Sequence, residues 1–178
     1  MRVAIISLLS PCLLITAQPV SAQIGNDGLN CAIDQVSPSH ASDILIDYLR
    51  RSSASETSAG SRERLSSLVY DCAQKLNLNQ SAERQFFQYS LSMVLRNEAR
   101  RRMIAIGLDI ESLDKELDIG PGRTNPISRN FTSDNWQAVE DALRAVSANQ
   151  SLHGKALQLL STYTVASKSG YEALASLR

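Results

Sequence analysis

Apolar residues recur at the helical period along most of the chain. Over Ser39–Arg51, Ile44, Leu45, Tyr48 and Leu49 share one face, and Ser37-Pro38 just upstream is a good helix start. Arg62–Asn77 is the cleanest amphipathic stretch, with Leu65, Leu68, Val69, Cys72 and Leu76 at i, i+3, i+4, i+7 and i+11. Gln80–Gly107 is the longest. Its stripe is Phe87, Leu91, Val94 and Leu95, returning at Ala105, and Gly107 is its stop or kink. A shorter helix follows over Asp109–Leu117. Thr132-Ser133-Asp134 opens another with N-cap chemistry and an early acid, carrying Trp136, Val139, Leu143 and Val146 on one face. Leu152, Ala156, Leu159, Leu160 and Tyr163 mark the next helix, and Gly170–Leu177, with Tyr171 and Leu174, a short last one. No stretch alternates at period two for long enough to make a strand. The pattern predicts an all-α fold, an irregular bundle of five to seven helices around Gln80–Gly107, with Trp136 and the Phe86-Phe87 pair in the core.

Two stretches interrupt the periodicity. Ser52–Ser61 is small, polar and of low complexity, a loop with no core to offer. Asp118–Asn130 holds two glycines and two prolines and is the best candidate for a hinge or functional loop. Within it, Gly120–Asn125 invites a phosphate-loop reading. It lacks the Gly-Lys-Ser/Thr ending and follows a helix instead of a strand, so a plain turn is expected.

The first 22 residues stand apart. Arg2 precedes an apolar stretch of 13 residues from Val3 to Ile15, and Val20 and Ala22 sit at −3 and −1 of a cut before Gln23. These are the parts of a secretory signal. A membrane anchor needs about 20 apolar residues, and this run is shorter and carries Pro11. A lipoprotein site would need small residues before Cys12, where Pro11 stands. The expectation is a cleaved signal peptide, 1–22, and a single helical domain, 23–178, exported to the periplasm or secreted. No second stretch approaches a membrane span.

Composition then narrows the function classes. The 178 residues carry 18 Lys+Arg and 18 Asp+Glu, a formal net charge of zero. A nucleic-acid binder would show a basic excess, and a charged disordered chain a strong imbalance. Without residues 1–22 the product is 156 residues long with a charge of −1. Cys12 leaves with the signal, so Cys31 and Cys72 remain as an even pair in an oxidising compartment, which predicts a disulfide. Their separation of 41 residues, with His40 and His153 as the only histidines, fits no zinc motif. Neither a metal nor a cofactor is expected. Cys72 lies at the centre of its helix's apolar stripe, so the bridge points into the core. A structural role follows, since no Cys-x-x-Cys is present.

The most distinctive polar group is Arg96, Arg100, Arg101 and Arg102 near the end of the long helix. Glu98 and Arg102 form an i, i+4 pair on the side of Phe87, Leu91 and Leu95. Three readings stand: an exposed pair beyond the end of the apolar stripe, a partly buried ion pair fixing helix register, or a contact site for an anionic ligand or partner. Arg123 joins the last reading as a basic residue of the glycine-proline loop. The segment Asp109–Asp118 sets five acids against Lys115, and mutual neutralisation with the basic helix end is the simplest account. A calcium loop fails, because Leu113 and Asp114 occupy its fifth and sixth positions. His40, near a helix start, reads as solvated.

No serine sits in a Gly-x-Ser-x-Gly elbow, and no other catalytic constellation stands out. The expected function is therefore that of an exported non-enzymatic protein acting by interaction or binding in the cell envelope, as an adaptor, inhibitor or chaperone-like helper. Its partner would be an envelope protein or surface. Two alternatives remain: a small envelope hydrolase acting on cell-wall material, which would need Glu98 or another carboxylate in a cleft with a raised pKa, or a small-molecule carrier with an interhelical cavity.

Overall fold

The computed structural model describes residues 24–51, 59–146 and 150–178. The signal-peptide expectation for 1–22 lies outside these residues. Among them are seven α-helices and no strand: α1 (Asn26–Asn30), α2 (Pro38–Arg51), α3 (Ala59–Lys75), α4 (Gln80–Ala105), α5 (Ile110–Glu116), α6 (Ser133–Val146) and α7 (Gln150–Leu177), with one 3-10 turn at Ser128–Asn130. No described helix is long and apolar enough to cross a membrane.

Local chemistry sets the helix ends. Ser37 Oγ accepts the His40 N–H at 3.3 Å at the start of α2, where Pro38 fills the first helical position. Asn79 caps α4 by accepting the Ala82 N–H at 2.9 Å, and Asp109 caps α5 through the Ser112 N–H at 3.2 Å. Thr132 and Asn135 cap α6 reciprocally, each side chain taking the other's backbone N–H. Three consecutive helices end alike. Asn77, Gly107 and Asp118, at φ of 53°, 92° and 53°, turn left-handed after α3, α4 and α5. The next residue, Leu78, Leu108 or Ile119, sends its N–H back to the carbonyl of Ala73, Met103 or Asp114. Each stop thus satisfies an end carbonyl and turns an apolar side chain back onto the core.

α4 is the hub, with α7 as its main neighbour and α2, α3, α1 and α5 around it. Its burial is accordingly wider than one stripe. Phe86, Tyr89, Ser90, Val94, Leu95, Ala99 and Met103 are buried, whereas Phe87 and Leu91 are half-buried and Ala105 is exposed. A helix surrounded by neighbours buries several faces, so a single-face stripe misplaces its centre. On α2 and α3 the cores are Ile44 and Leu45, and Leu65, Val69 and Cys72. Tyr48 stays 38% exposed and Trp136 40%, so neither is a core residue. Trp136 instead packs edge-on against Phe131, ring centroids 5.3 Å apart, on the surface.

Three boundaries differ from those read in the sequence. α1 is an added helix of five residues, too short to show a period. Of the polar stretch Ser52–Ser61, residues 59–61 already belong to α3, and 52–58 lie outside the described residues. The two final helices are one, α7, which runs through Gly170. The reason is packing. A Cβ at Gly170 would stand 3.3 Å from both Met93 Sδ and Ser92 Cβ of α4, so this glycine marks a close helix approach, not a break.

Cys31, at the end of α1, and Cys72, fully buried in α3, form a disulfide with Cα atoms 6.0 Å apart. Gln35 Nε2 lies over it, 3.3 Å from Cys72 Sγ, and donates to the Cys31 carbonyl at 2.8 Å. Gly28 packs α1 onto the end of α3: its Cβ would meet Leu76 Cδ2 at 3.0 Å.

Candidate functional site

Three of the four arginines near the end of α4 divide into two separate arrangements, and Arg100 acts on the second only as a charge near Tyr163. In the first, the Glu98 carboxylate is buried, its side chain 2% exposed, with arginines at i+3 and i+4 folding over it. Arg101 Nε and Nη2 each donate at 2.7 Å, one to each oxygen, and Arg102 Nε donates at 2.8 Å. Arg102 also reaches α2, donating through Nη2 to Ser42 Oγ. Burial alone would raise the Glu98 carboxyl. The hydrogen bonds and charges of the two guanidiniums outweigh it, leaving the group below its ordinary value. A general acid needs the opposite shift, so the proton-donor role that a hydrolase would ask of Glu98 is not prepared here.

In the second arrangement, Arg96 turns toward α7. Its Nε donates to Ser167 Oγ and its Nη2 to Tyr163 Oη, both at 3.2 Å, and its guanidinium lies 5.2 Å from the Tyr163 ring centroid and 5.8 Å from that of Tyr171. The Tyr163 hydroxyl donates at 2.5 Å to Asp114 of α5. Burial and the bond to Asp114 push the Tyr163 hydroxyl well above its ordinary value, so it remains a neutral donor. One chain of contacts thereby ties α4, α7 and α5 together.

Arg123 belongs to neither arrangement. It pairs with Asp118 at 3.3 Å in the glycine-proline loop. That loop is closed on itself. Asp118 Oδ2 accepts from the Thr124 N–H at 3.0 Å and hydroxyl at 2.7 Å. Asn125, 3% exposed, accepts from the Gly120 N–H at 2.7 Å and donates to the Gly120 and Arg123 carbonyls. The N–H groups of Gly120, Arg123, Thr124 and Asn125 are already used within the loop, which makes the turn a structural corner. The Asp118 carboxyl is held low, first by Thr124.

The acids of α5 do not neutralise α4. Among the described residues, the ion pairs of Arg101 and Arg102 go to Glu98, and Asp109 is held low by the hydroxyl and N–H of Ser112. His40 is buried at 9% exposure, with Nε2 2.8 Å from the Ser61 carbonyl, so it bridges α2 to α3 and is not solvated.

The acids instead edge a surface groove of about 450 Å³ between α5 and α6. Leu113, Ala138 and Ala142 supply its apolar lining; Asp109, Glu116, Asp134 and Asp141 supply negative charge. Asp141 is partly answered by Arg144 at 3.7 Å, and Glu116 and Asp134 have no ion pair among the described residues. Their oxygens do not converge: no group of three His, Cys, Asp or Glu among the described residues is placed to hold a metal. The sequence displayed the acids but not the groove, because α6 is 17 residues away from α5 along the chain. The polar role of Tyr163 is likewise hidden in the sequence, since a tyrosine at a stripe position reads as apolar.

No protein-family model, curated protein or solved structure matches the chain.

Proposed function

We propose that the chain is an exported, non-enzymatic helical protein that acts by binding a partner in the cell envelope. The observation that carries this reading is the α5–α6 groove, where an apolar lining and uncompensated carboxylates meet on the surface. Such a groove suits a positively charged segment with apolar side chains, because the lining rewards burial and the rim selects charge. The Cys31–Cys72 disulfide fits an oxidising compartment and so supports export. The occupant is a basic segment of an envelope protein.

The test is photo-crosslinking in intact cells from a photoreactive residue at Ala138, beside titration of the purified protein with a Lys/Leu peptide and its Glu/Leu counterpart. The reading expects a discrete protein adduct, and binding of the basic peptide alone. Both should be lost on changing Glu116→Lys and Asp134→Lys. Equal binding of the two peptides, or turnover of a cell-wall substrate with no adduct, overturns it.

A further inference from the structure

A second groove, of about 350 Å³, opens between α1, α4, the glycine-proline corner and the end of α7. Its polar lining is of a different kind: the Tyr89 and Tyr171 phenols, the amides of Asn26 and Asn30, and the Arg178 guanidinium, with no carboxylate side chain among the lining residues. Leu29, Leu174 and Pro121 provide an apolar wall.

Tyr89 is the telling member. It is 6% exposed, yet its hydroxyl has no hydrogen-bond partner among the described residues. Nor is it a sealed orphan; that description fits only Ser90 Oγ among the described residues. The fold therefore buries most of the Tyr89 side chain without supplying an acceptor, and leaves its hydroxyl accessible at the groove that it lines. Its donor is thus open to water or to a ligand seated in the groove. Burial and the neighbouring Tyr171 phenol hold the Tyr89 hydroxyl above its ordinary value, so it stays a neutral donor, while the guanidiniums of Arg178 and Arg96 act against that rise. Arg178 has no ion pair or hydrogen bond among the described residues. The Arg96 guanidinium lies 5.8 Å from the Tyr171 ring centroid.

We propose that this groove binds a monocarboxylate with a short apolar body, its carboxylate held by Arg178 and the Tyr89 and Tyr171 hydroxyls and its body against Leu29 and Leu174. A guanidinium fork and phenol donors match a carboxylate's paired oxygens. One lining cation matches one negative charge, and the volume suits a small molecule or the last residue of a peptide. This site is separate from the α5–α6 groove, and either stands without the other.

The test uses the disulfide-intact protein. Hexanoate and benzoate are titrated beside hexanamide and benzamide, and a tripeptide ending in free leucine beside its amidated form, by calorimetry and ligand-observed NMR. Carboxylates should bind at least about tenfold more tightly than the matching amides, the worth of a hydrogen bond to a charged group. Tyr89→Phe, which keeps the ring and removes the donor, and Arg178→Gln should each weaken carboxylate binding about tenfold with the thermal midpoint unchanged. Preference for the free acids identifies a small-molecule ligand, preference for the tripeptide a chain terminus, and both support the site. Equal binding of acids and amides, no binding by any probe, or Tyr89→Phe binding like the parent overturns it.

Discussion

The two flanks of α4 are fastened by different means. On one flank, α1, α2 and α3 are closed by long-range locks: the Cys31–Cys72 bond, and Arg102 reaching Ser42 while Glu98 holds it in place. On the other, α7 is fastened by fit. Gly170 lets it approach Ser92 and Met93, and the Arg96–Tyr163–Asp114 contacts run across the seam. The first flank depends on a few strong points, the second on continuous close packing. Short helices such as α1, with five residues, bury too little to hold themselves, whereas the 28 residues of α7 have surface enough.

Removing the strongest point tests this contrast most severely. Replacing both cysteines, Cys31→Ala with Cys72→Ala, should cost about 4 kcal/mol by the loop-entropy relation for a 41-residue separation. Urea unfolding measures the loss, and hydrogen exchange should place the new openings in α1 to α3 while α4 and α7 stay protected. Equal loosening of both flanks would erase the distinction.

Glu98→Gln comes next. It leaves two guanidiniums with a neutral acceptor, and because Arg101 is 60% exposed and Arg102 29%, much of their charge finds water. A loss of about 2 kcal/mol is expected, below that for a fully buried pair. The pH dependence has a definite sign. Glu98 ionises more readily folded than unfolded, so its stabilisation is complete above the ordinary value of 4.5 and is lost as the pH falls below it through the folded value. The parent protein should lose this increment in acid, and the Glu98→Gln protein should not. Acid unfolding curves of equal steepness would show that the carboxylate is not its source.

The smallest effect sharpens the second flank. Gly154 and Gly170 both lie inside α7, but a Cβ at Gly154 meets nothing within 4 Å, while one at Gly170 meets two atoms at 3.3 Å. Gly154→Ala should stabilise by about 1 kcal/mol through helix propensity. Gly170→Ala should gain less or lose stability, since its neighbours must give way. Thermal melts of the two variants compare them directly, and equal gains would mean that the seam has slack.

Legibility in the sequence follows the same division. The disulfide, the amphipathic stripe of α3 and the Gly107 stop are all local or countable features, and the structure contains them; the α2 stripe holds except at Tyr48, which is exposed. The close approach at Gly170 looks like a helix boundary in the sequence, because a glycine that ends a helix and one that admits a neighbour are alike without the neighbour. Trp136 reads as a core residue because period alone does not say how much of a face another element covers. Asn77 and Asp118 end helices as Gly107 does, yet their left-handed turns are hidden in residues that commonly adopt other conformations. Both grooves are assembled from elements far apart in sequence, so their residue types were visible and their meeting was not.

The disulfide also changes what a cut in the chain means. Every peptide bond between Cys31 and Cys72 lies inside one covalent ring. A protease that severs one of those bonds opens the ring without releasing a fragment, and the two ends stay tethered beside the structure they came from. On a denaturing gel such a molecule separates into two pieces only after reductant is added.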